Sequence, residues 1–296
     1  MRFLVGINLR DGEAEHVVRQ SAALAQAGRA TLDLAYVDDV SGVPSWVSDP
    51  LSAQALTTQW TQVQRANEDR LQLLHHSVAE NHRGTTYRLT GKAAPALIQA
   101  AGTHDAIVLA GRQHSTLSKV MIGSVAAKVV QTAGQPVVVI PARDRFLEFE
   151  AQKHRVVFGV DLNAKDAGTA LAEASRWAQA FDAKLDLVHV DSSRLHVPYI
   201  LDPDVRKRFD HEWAMVRERD LGRLQTLIDS LPTQIRGLPR IAEGEAHTAL
   251  CELAPDYDFL MVATHGRTGM DLWVVGSVAE RVMQESVRPV LLLRAR

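Results

Sequence analysis

Near the C-terminus the run ATHGRTGMDLWVVGSVAERVM, Ala263 to Met283, places Gly266, Gly269 and Gly276 ahead of a serine, Ser277. Glycine lets backbone N–H groups come close to a ligand and tolerates positive φ. A helix starting at the last glycine would add unpaired N–H groups and the positive end of its dipole. The chemistry open to such a run is therefore anion binding, phosphate above all. Ser277 would supply a hydroxyl, while His265 and Arg267 could shape the loop, sit in solvent or meet the same anion. The competing reading is a turn at Gly266 and Gly269 followed by an ordinary helix start at Gly276-Ser277. Glycines alone do not choose between these. Two better-defined nucleotide loops are excluded, since the chain has neither G-x-x-x-x-G-K-[ST] nor a G-x-G-x-x-G after its first strand.

Other chemistry finds less support. There are 12 histidines, with His75, His76, His82, His104 and His114 crowding the first half. None forms H-E-x-x-H or pairs with cysteine at zinc spacing, and adjacent histidines on a helix do not face one another. No metal site is expected. No G-x-S-x-G elbow supports serine catalysis. Asp38, Asp39 and Asp191 follow a strand pattern and read as turn carboxylates, with Mg²⁺ beside a bound phosphate as the minor alternative. Cys251, the one cysteine, sits in an Ala- and Leu-rich helical stretch and reads as a small core residue.

The elements that must position the glycine run emerge from a repeat. Gly276 follows Gly123 by 153 positions, and at that shift LDLAYVD from Leu32 falls on LDLVHVD from Leu185. Gly6 falls on Gly159, Gly91 on Gly244, Trp60 on Trp213, Pro136 on Pro289, and the Asp-Pro at Asp49 on that at Asp202. Roughly 40 of about 143 aligned positions are identical without a gap, which marks a tandem duplication. One half runs from Met1 to Ala142 and the other from Arg155 to Arg296, joined by the charged connector RDRFLEFEAQKH. Each half alternates short β-branched runs with Ala-rich helical spacing, reading βαβαβαβαβ. This is an α/β pattern: two tandem doubly wound domains, each a mostly parallel five-stranded sheet with helices on both faces. Ligands of such sheets bind beyond the carboxyl ends of the strands, where the loops after the first, second and fourth strands converge.

Composition sets the bounds. With 296 residues, 46% apolar and 23% charged, the chain can bury a core in each half. A formal net charge of −2 and no basic block give nucleic acid no footprint. No apolar run approaches the ~18 residues of a membrane span. The five-residue apolar run at the N-terminus is too short for a signal peptide, so a cytoplasmic location is expected. A single cysteine suits a reducing compartment.

The strand runs VVFGVDL and LVHVD, the glycine run with GSVAERVM, and the final RPVLLL resemble a universal stress protein domain. Both halves share the likeness nearly end to end, so the whole resembles two such domains in tandem, with an adenine nucleotide alpha hydrolase-like fold. ATP-binding members carry G-x2-G-x9-G-[S/T]. The second half aligns Ala263, Gly266, Gly276 and Ser277 with that motif, and only the first glycine is replaced. The resemblance implies an Asp at the end of the first strand near the nucleoside, here Asp161, and a backbone contact to adenine from Val190. It also implies that the N–H groups of Ser277 and Val278 face phosphates. Asp161 could instead cap the turn that follows its strand. ATP, accompanied by Mg²⁺, is thus expected in the second half only.

The first half has drifted. Asn8 replaces Asp161, Gln113 replaces Gly266 and Thr116 replaces Gly269, while Ala110 and Gly123-Ser124-Val125 persist and Gly111 is out of phase. A Gln side chain would crowd a phosphate, so this half reads as a degenerate site. The last strands, PVVVIP and PVLLLR, are very apolar, and as free sheet edges they would be a liability. The resemblance implies pairing through this strand, here between the two halves of one chain, and leaves a further homodimer open. A regulatory stress-response role is expected rather than catalysis. The alternatives are a slow ATPase, or a nucleotide-free scaffold for another small molecule or a protein partner.

Overall fold

A computed structural model describes residues 1–10, 12–38, 47–111, 123–142, 154–164, 167–192, 202–266 and 273–295. The first half contributes β1 (Arg2–Ile7), α1 (Ala14–Ala27), β2 (Thr31–Asp38), α2 (Pro50–Ser77), β3 (Arg83–Thr90), α3 (Ala93–Ala100), β4 (Ala106–Ala110), α4 (Ser124–Thr132) and β5 (Val137–Ile140). The second contributes β6 (Arg155–Gly159), α5 (Ala167–Ala180), β7 (Lys184–Asp191), α6 (Pro203–Ser230) and β8 (Arg236–Glu243). It continues with α7 (Ala246–Leu253), β9 (Leu260–Gly266), β10 (Trp273–Val274), α8 (Ser277–Glu285) and β11 (Val290–Ala295).

All strands join one 11-stranded sheet in the order β3-β2-β1-β4-β5-β11-β9-β6-β7-β8, with β10 paired to β9. Pairing is parallel within each half, apart from the β9–β10 hairpin. At the join β5 meets β11 antiparallel, Val139 opposite Val290, Val138 opposite Leu291 and Val137 opposite Leu292. The apolar final strands that would be edges thus lie in the middle of a shared sheet, and the duplicated chain pairs with itself as expected. The hairpin β9–β10 is a feature that period and turn signals do not announce.

Alternation along the strands sorts the core into two layers. Leu185 and Leu187 of β7 join a cluster with α1, α2, α5 and α6, whereas Val188 joins one with α3, α4, α7 and α8. Across the join Phe3 stacks on Trp177, centroids 5.6 Å apart and rings 13° from parallel. The Arg176 guanidinium, 3.1 Å from Asp105, ties α5 to the loop before β4.

The Asp-Pro pairs start the long helices. Asp49 accepts from Ser52 N–H at 2.8 Å, and Asp202 accepts from the N–H groups of Asp204 and Val205 at 2.9 and 3.0 Å. Pro50 and Pro203 follow as the first helical residues, where a missing N–H costs nothing.

Each half also contains the same buried carboxylate clamp under its outer strand. Asp33 is fully buried; it accepts from Thr85 N–H at 2.7 Å and His104 Nε2 at 2.8 Å and pairs with Arg2 at 2.6 Å. Asp186, also fully buried, accepts from Leu238 N–H at 2.8 Å and Tyr257 Oη at 2.7 Å and pairs with Arg155 at 2.5 Å. Glycine is required beside each: a methyl on Gly84 would overlap Asp33 Oδ1, and one on Gly237 would overlap Asp186 Oδ1. Burial, then the bond to Asp186, pushes the Tyr257 phenol above its ordinary value.

Candidate functional site

At the carboxyl ends of β6, β7 and β9 the second half opens a cleft of about 280 Å³. Its wall includes Asp161, His189, Val190, Ala263, Gly276, Ser277 and Val278. The structure therefore brings together six of the seven residues singled out in the sequence. The seventh, Gly266, ends β9 with its backbone opposite Trp273 of the hairpin. Gly269 and Arg267 lie outside the described residues, as do Gln113, Thr116 and His114.

Helix α8 starts at the cleft with Gly276 as N-cap, and no side chain caps it. Among the described residues its first N–H groups have no side-chain cap, which is the electrostatic setting an anion favours. Gly276 itself sits at φ −64°, ψ 151°, a conformation open to any residue. No described atom lies within 4 Å of where its Cβ would be. Neither backbone strain nor internal packing among the described residues accounts for glycine here.

Ala263 lies on β9 opposite Leu293. Its methyl packs against the cluster on the α5 side of the sheet, while α8 contributes to the cluster on the other side. The methyl that replaces a glycine hydrogen thus points away from the layer holding the helix start. Val190 packs against the α7 and α8 layer.

Asp161 makes the turn after β6. Its Oδ1 accepts from Asn163 N–H at 2.9 Å, and its carbonyl accepts from Ala164 N–H at 3.1 Å. Asn8 makes the same turn in the first half, accepting from Arg10 N–H at 3.0 Å. A neutral amide is enough for the turn, so the charge on Asp161 is additional to it. A carboxylate keeps acceptor capacity beyond one such bond.

His189 is a lining residue that motif spacing does not single out. It donates Nδ1–H to the carbonyl of Val160 at 3.0 Å. The signal for it lies in the repeat, where Tyr36 occupies the same place.

In the first half a cleft of about 330 Å³ persists, lined among others by Asn8, Arg10, Glu13, Tyr36, Gly123, Ser124 and Val125. Helix α4 also starts on a glycine, Gly123, without a side-chain cap. Because β5 and β11 run antiparallel, the two clefts open at opposite edges of the sheet. Of the crowded histidines, His75 bonds the carbonyl of Gly84, His76 that of Gln72 and His82 that of Ala30. Among the described residues no group of three His, Cys, Asp or Glu side chains is placed to hold a metal ion. Asp191 accepts from the Trp213 indole at 2.7 Å, and Asp38 from Gln64 at 3.2 Å. Among the described residues no helix is long and apolar enough to cross a membrane.

The model of the universal stress protein family matches residues 1–141 and, a second time, residues 153–294. The chain belongs to the universal stress protein family. It is a tandem member, in which each of the two α/β halves carries one universal stress protein match. A universal stress protein of Mycolicibacterium smegmatis is 26% identical over 298 residues, covering 99% of this chain and 97% of that one. The solved structure of a universal stress protein from Archaeoglobus fulgidus superposes with a TM-score of 0.65 at 17% identity, covering 100% of this chain and 98% of the other. A functionally unknown protein from Pseudomonas aeruginosa has the same fold, with a TM-score of 0.58 at 15% identity over 99% of this chain and 92% of that chain. The universal stress protein fold thus extends over both halves.

Proposed function

We propose that the cleft of the second half binds an adenine nucleotide, ATP or a close relative, and that the protein acts as a cytoplasmic stress-response regulator rather than a catalyst. Gly276 carries this reading. A glycine with ordinary backbone angles and open space at its Cβ is explained by a partner that comes and goes, and the uncapped start of α8 suits that partner being a phosphate. Asp161 brings a carboxylate charge its turn does not need, able to accept from a ribose hydroxyl. The outward methyl of Ala263 leaves the α8 side of the cleft clear for the phosphates. Mg²⁺ would arrive with the nucleotide, held mainly by its phosphates. Asp161 and His189 are the only titratable side chains among the described lining residues, a set that supports binding more than hydrolysis.

Isothermal titration of ATP against the wild type and Gly276→Leu tests this. Leucine fits the backbone angles of residue 276 and costs the helix start at most about 1 kcal/mol. One site in the wild type, weakened at least about tenfold in the variant with little change in melting temperature, is expected from a lost phosphate contact of about 1.4 kcal/mol or more. Two equal sites, or no binding by the wild type, would overturn the reading.

A further inference from the structure

We propose that His189 is a positioning residue of the second-half cleft, which holds the Val160–Asp161 peptide in place and gains a charge as pH falls that tightens the hold on an anionic ligand. The proposal rests on the nucleotide reading above and extends it. Alternation along β7 puts His189 on the same side as Leu185 and Leu187, facing α6. A carbonyl can only accept, so the bond to Val160 fixes the proton on Nδ1. Protonation then adds a proton at Nε2 and a unit of charge without disturbing that bond. Positioning persists in both states, and only the charge varies.

The charged groups around the imidazole come from several elements. On α6, Asp220 is 8% exposed and is bonded by Arg219 at 3.1 Å and Arg223 at 3.3 Å. Arg223 also donates to the carbonyl of Leu162 at 2.5 Å, tying α6 to the Asp161 turn. Burial pushes the Asp220 carboxyl up, but Arg219 and Arg223, helped by His189, outweigh it and hold the group below its ordinary value. Asp161 stands at the end of β6. Asp191, on the strand of His189, is bonded by Trp213, and Glu243 of β8 is paired with Arg217 at 2.6 Å. The described lining residues of α5, Ala167 and Ala170, are uncharged.

The repeat supplies the second observation. At the positions of His189 and Asp220 the first half has Tyr36 and Asn67, and these bond each other at 3.0 Å. Both members of the pair differ together, and both are neutral. The first half completes the same strand and helix around Tyr36 and Asn67, so folding alone does not call for the ionisable pair. At these two positions the second half has ionisable groups where the first has neutral ones, in the cleft that also has Asp161 where the other has Asn8; the first cleft carries its own charges elsewhere, on Arg10 and Glu13.

ATP affinity measured at pH 6 and pH 8 for the full-length wild type, His189→Gln and the double variant His189→Tyr with Asp220→Asn tests the proposal. The terminal phosphate of the nucleotide itself titrates near pH ~6, so the readout is the difference between proteins. The gain in wild-type affinity from pH 8 to pH 6 should exceed that of either variant by roughly fivefold, the scale of a partly screened charge. The double variant imports the first-half pair and keeps the fold. Equal pH profiles in all three proteins overturn the proposal and leave the nucleotide reading intact. If the wild type binds no ATP, the nucleotide reading fails. The Asp161 amide resonance in ligand-free protein then tests the change of charge at His189 by itself: it should move between pH 6 and pH 8 in the wild type and stay fixed in His189→Gln. Movement in both proteins overturns it.

Discussion

Val138 faces Leu291 directly across the antiparallel seam, and Leu291 is the residue that holds the place of Val138 in the second half, 153 positions on. The flanking pairs, Val139 with Val290 and Val137 with Leu292, exchange under the same shift. A pseudo-twofold axis therefore passes through the Val138–Leu291 pair. The join has the self-complementary form of an isologous dimer interface, realised within one polypeptide.

That geometry makes the seam testable by a mutant cycle. Val138→Lys and Leu291→Asp each place a lone charge at a site 4% or 1% exposed. Either alone should lower stability by several kcal/mol, about 3–5. Together the two charges face each other, so the double variant should recover roughly 1 kcal/mol or more relative to the sum. Urea unfolding of the four proteins measures this, and strictly additive losses would place the residues out of contact.

The buried clamp of the second half gives another expectation. Asp186→Ala removes a fully buried carboxylate and leaves the Leu238 N–H and the Tyr257 hydroxyl without their acceptor, costing about 2–4 kcal/mol. Gly237→Ala pushes a methyl into the same carboxylate and should cost about 1–3 kcal/mol. Thermal and urea melts read both. A variant at residue 186 within about 1 kcal/mol of the wild type would show that the clamp contributes specificity rather than stability.

Cys251 should be inert. Burial, with Glu285 and Glu252 adding repulsion, pushes its thiol up to about 12. The thiolate is the reactive form, so at neutral pH alkylation should run at least about a hundredfold slower in the folded protein than in urea. Mass spectrometry after iodoacetamide treatment follows it, and rapid labelling of the native chain would contradict the half-buried placement.

Much of this architecture is legible in the chain because the repeat doubles every signal. Strands β1, β2, β6 and β7 announce themselves as apolar β-branched runs, and the apolar final strands announce their need for cover. The Asp-Pro pairs at Asp49 and Asp202 stand out as repeat matches, and their side-chain bonds show them to be helix caps, a start signal readable in advance. Pattern alone misses what depends on a third dimension. The β9–β10 hairpin has only two residues in its second strand, too few to show a period. His189 looks like one more strand residue until the carbonyl of Val160 is found beside it. Asp161 illustrates a third case: its turn is what the sequence suggests, and only comparison with Asn8 separates the turn from the charge.

The stack of Phe3 on Trp177 joins one half to the other, yet its twofold-related counterpart does not exist. The residues at the equivalent places are Val156 and Leu24. In a dimer of identical subunits every substitution is installed twice, once on each side, and a bulky ring at the interface must find room in both places. Fusion into one chain removes that obligation. One half can take the large ring and the other yield room for it, and the same freedom lets the two clefts carry different ionisable groups, Asp161 and His189 in one, Arg10 and Glu13 in the other.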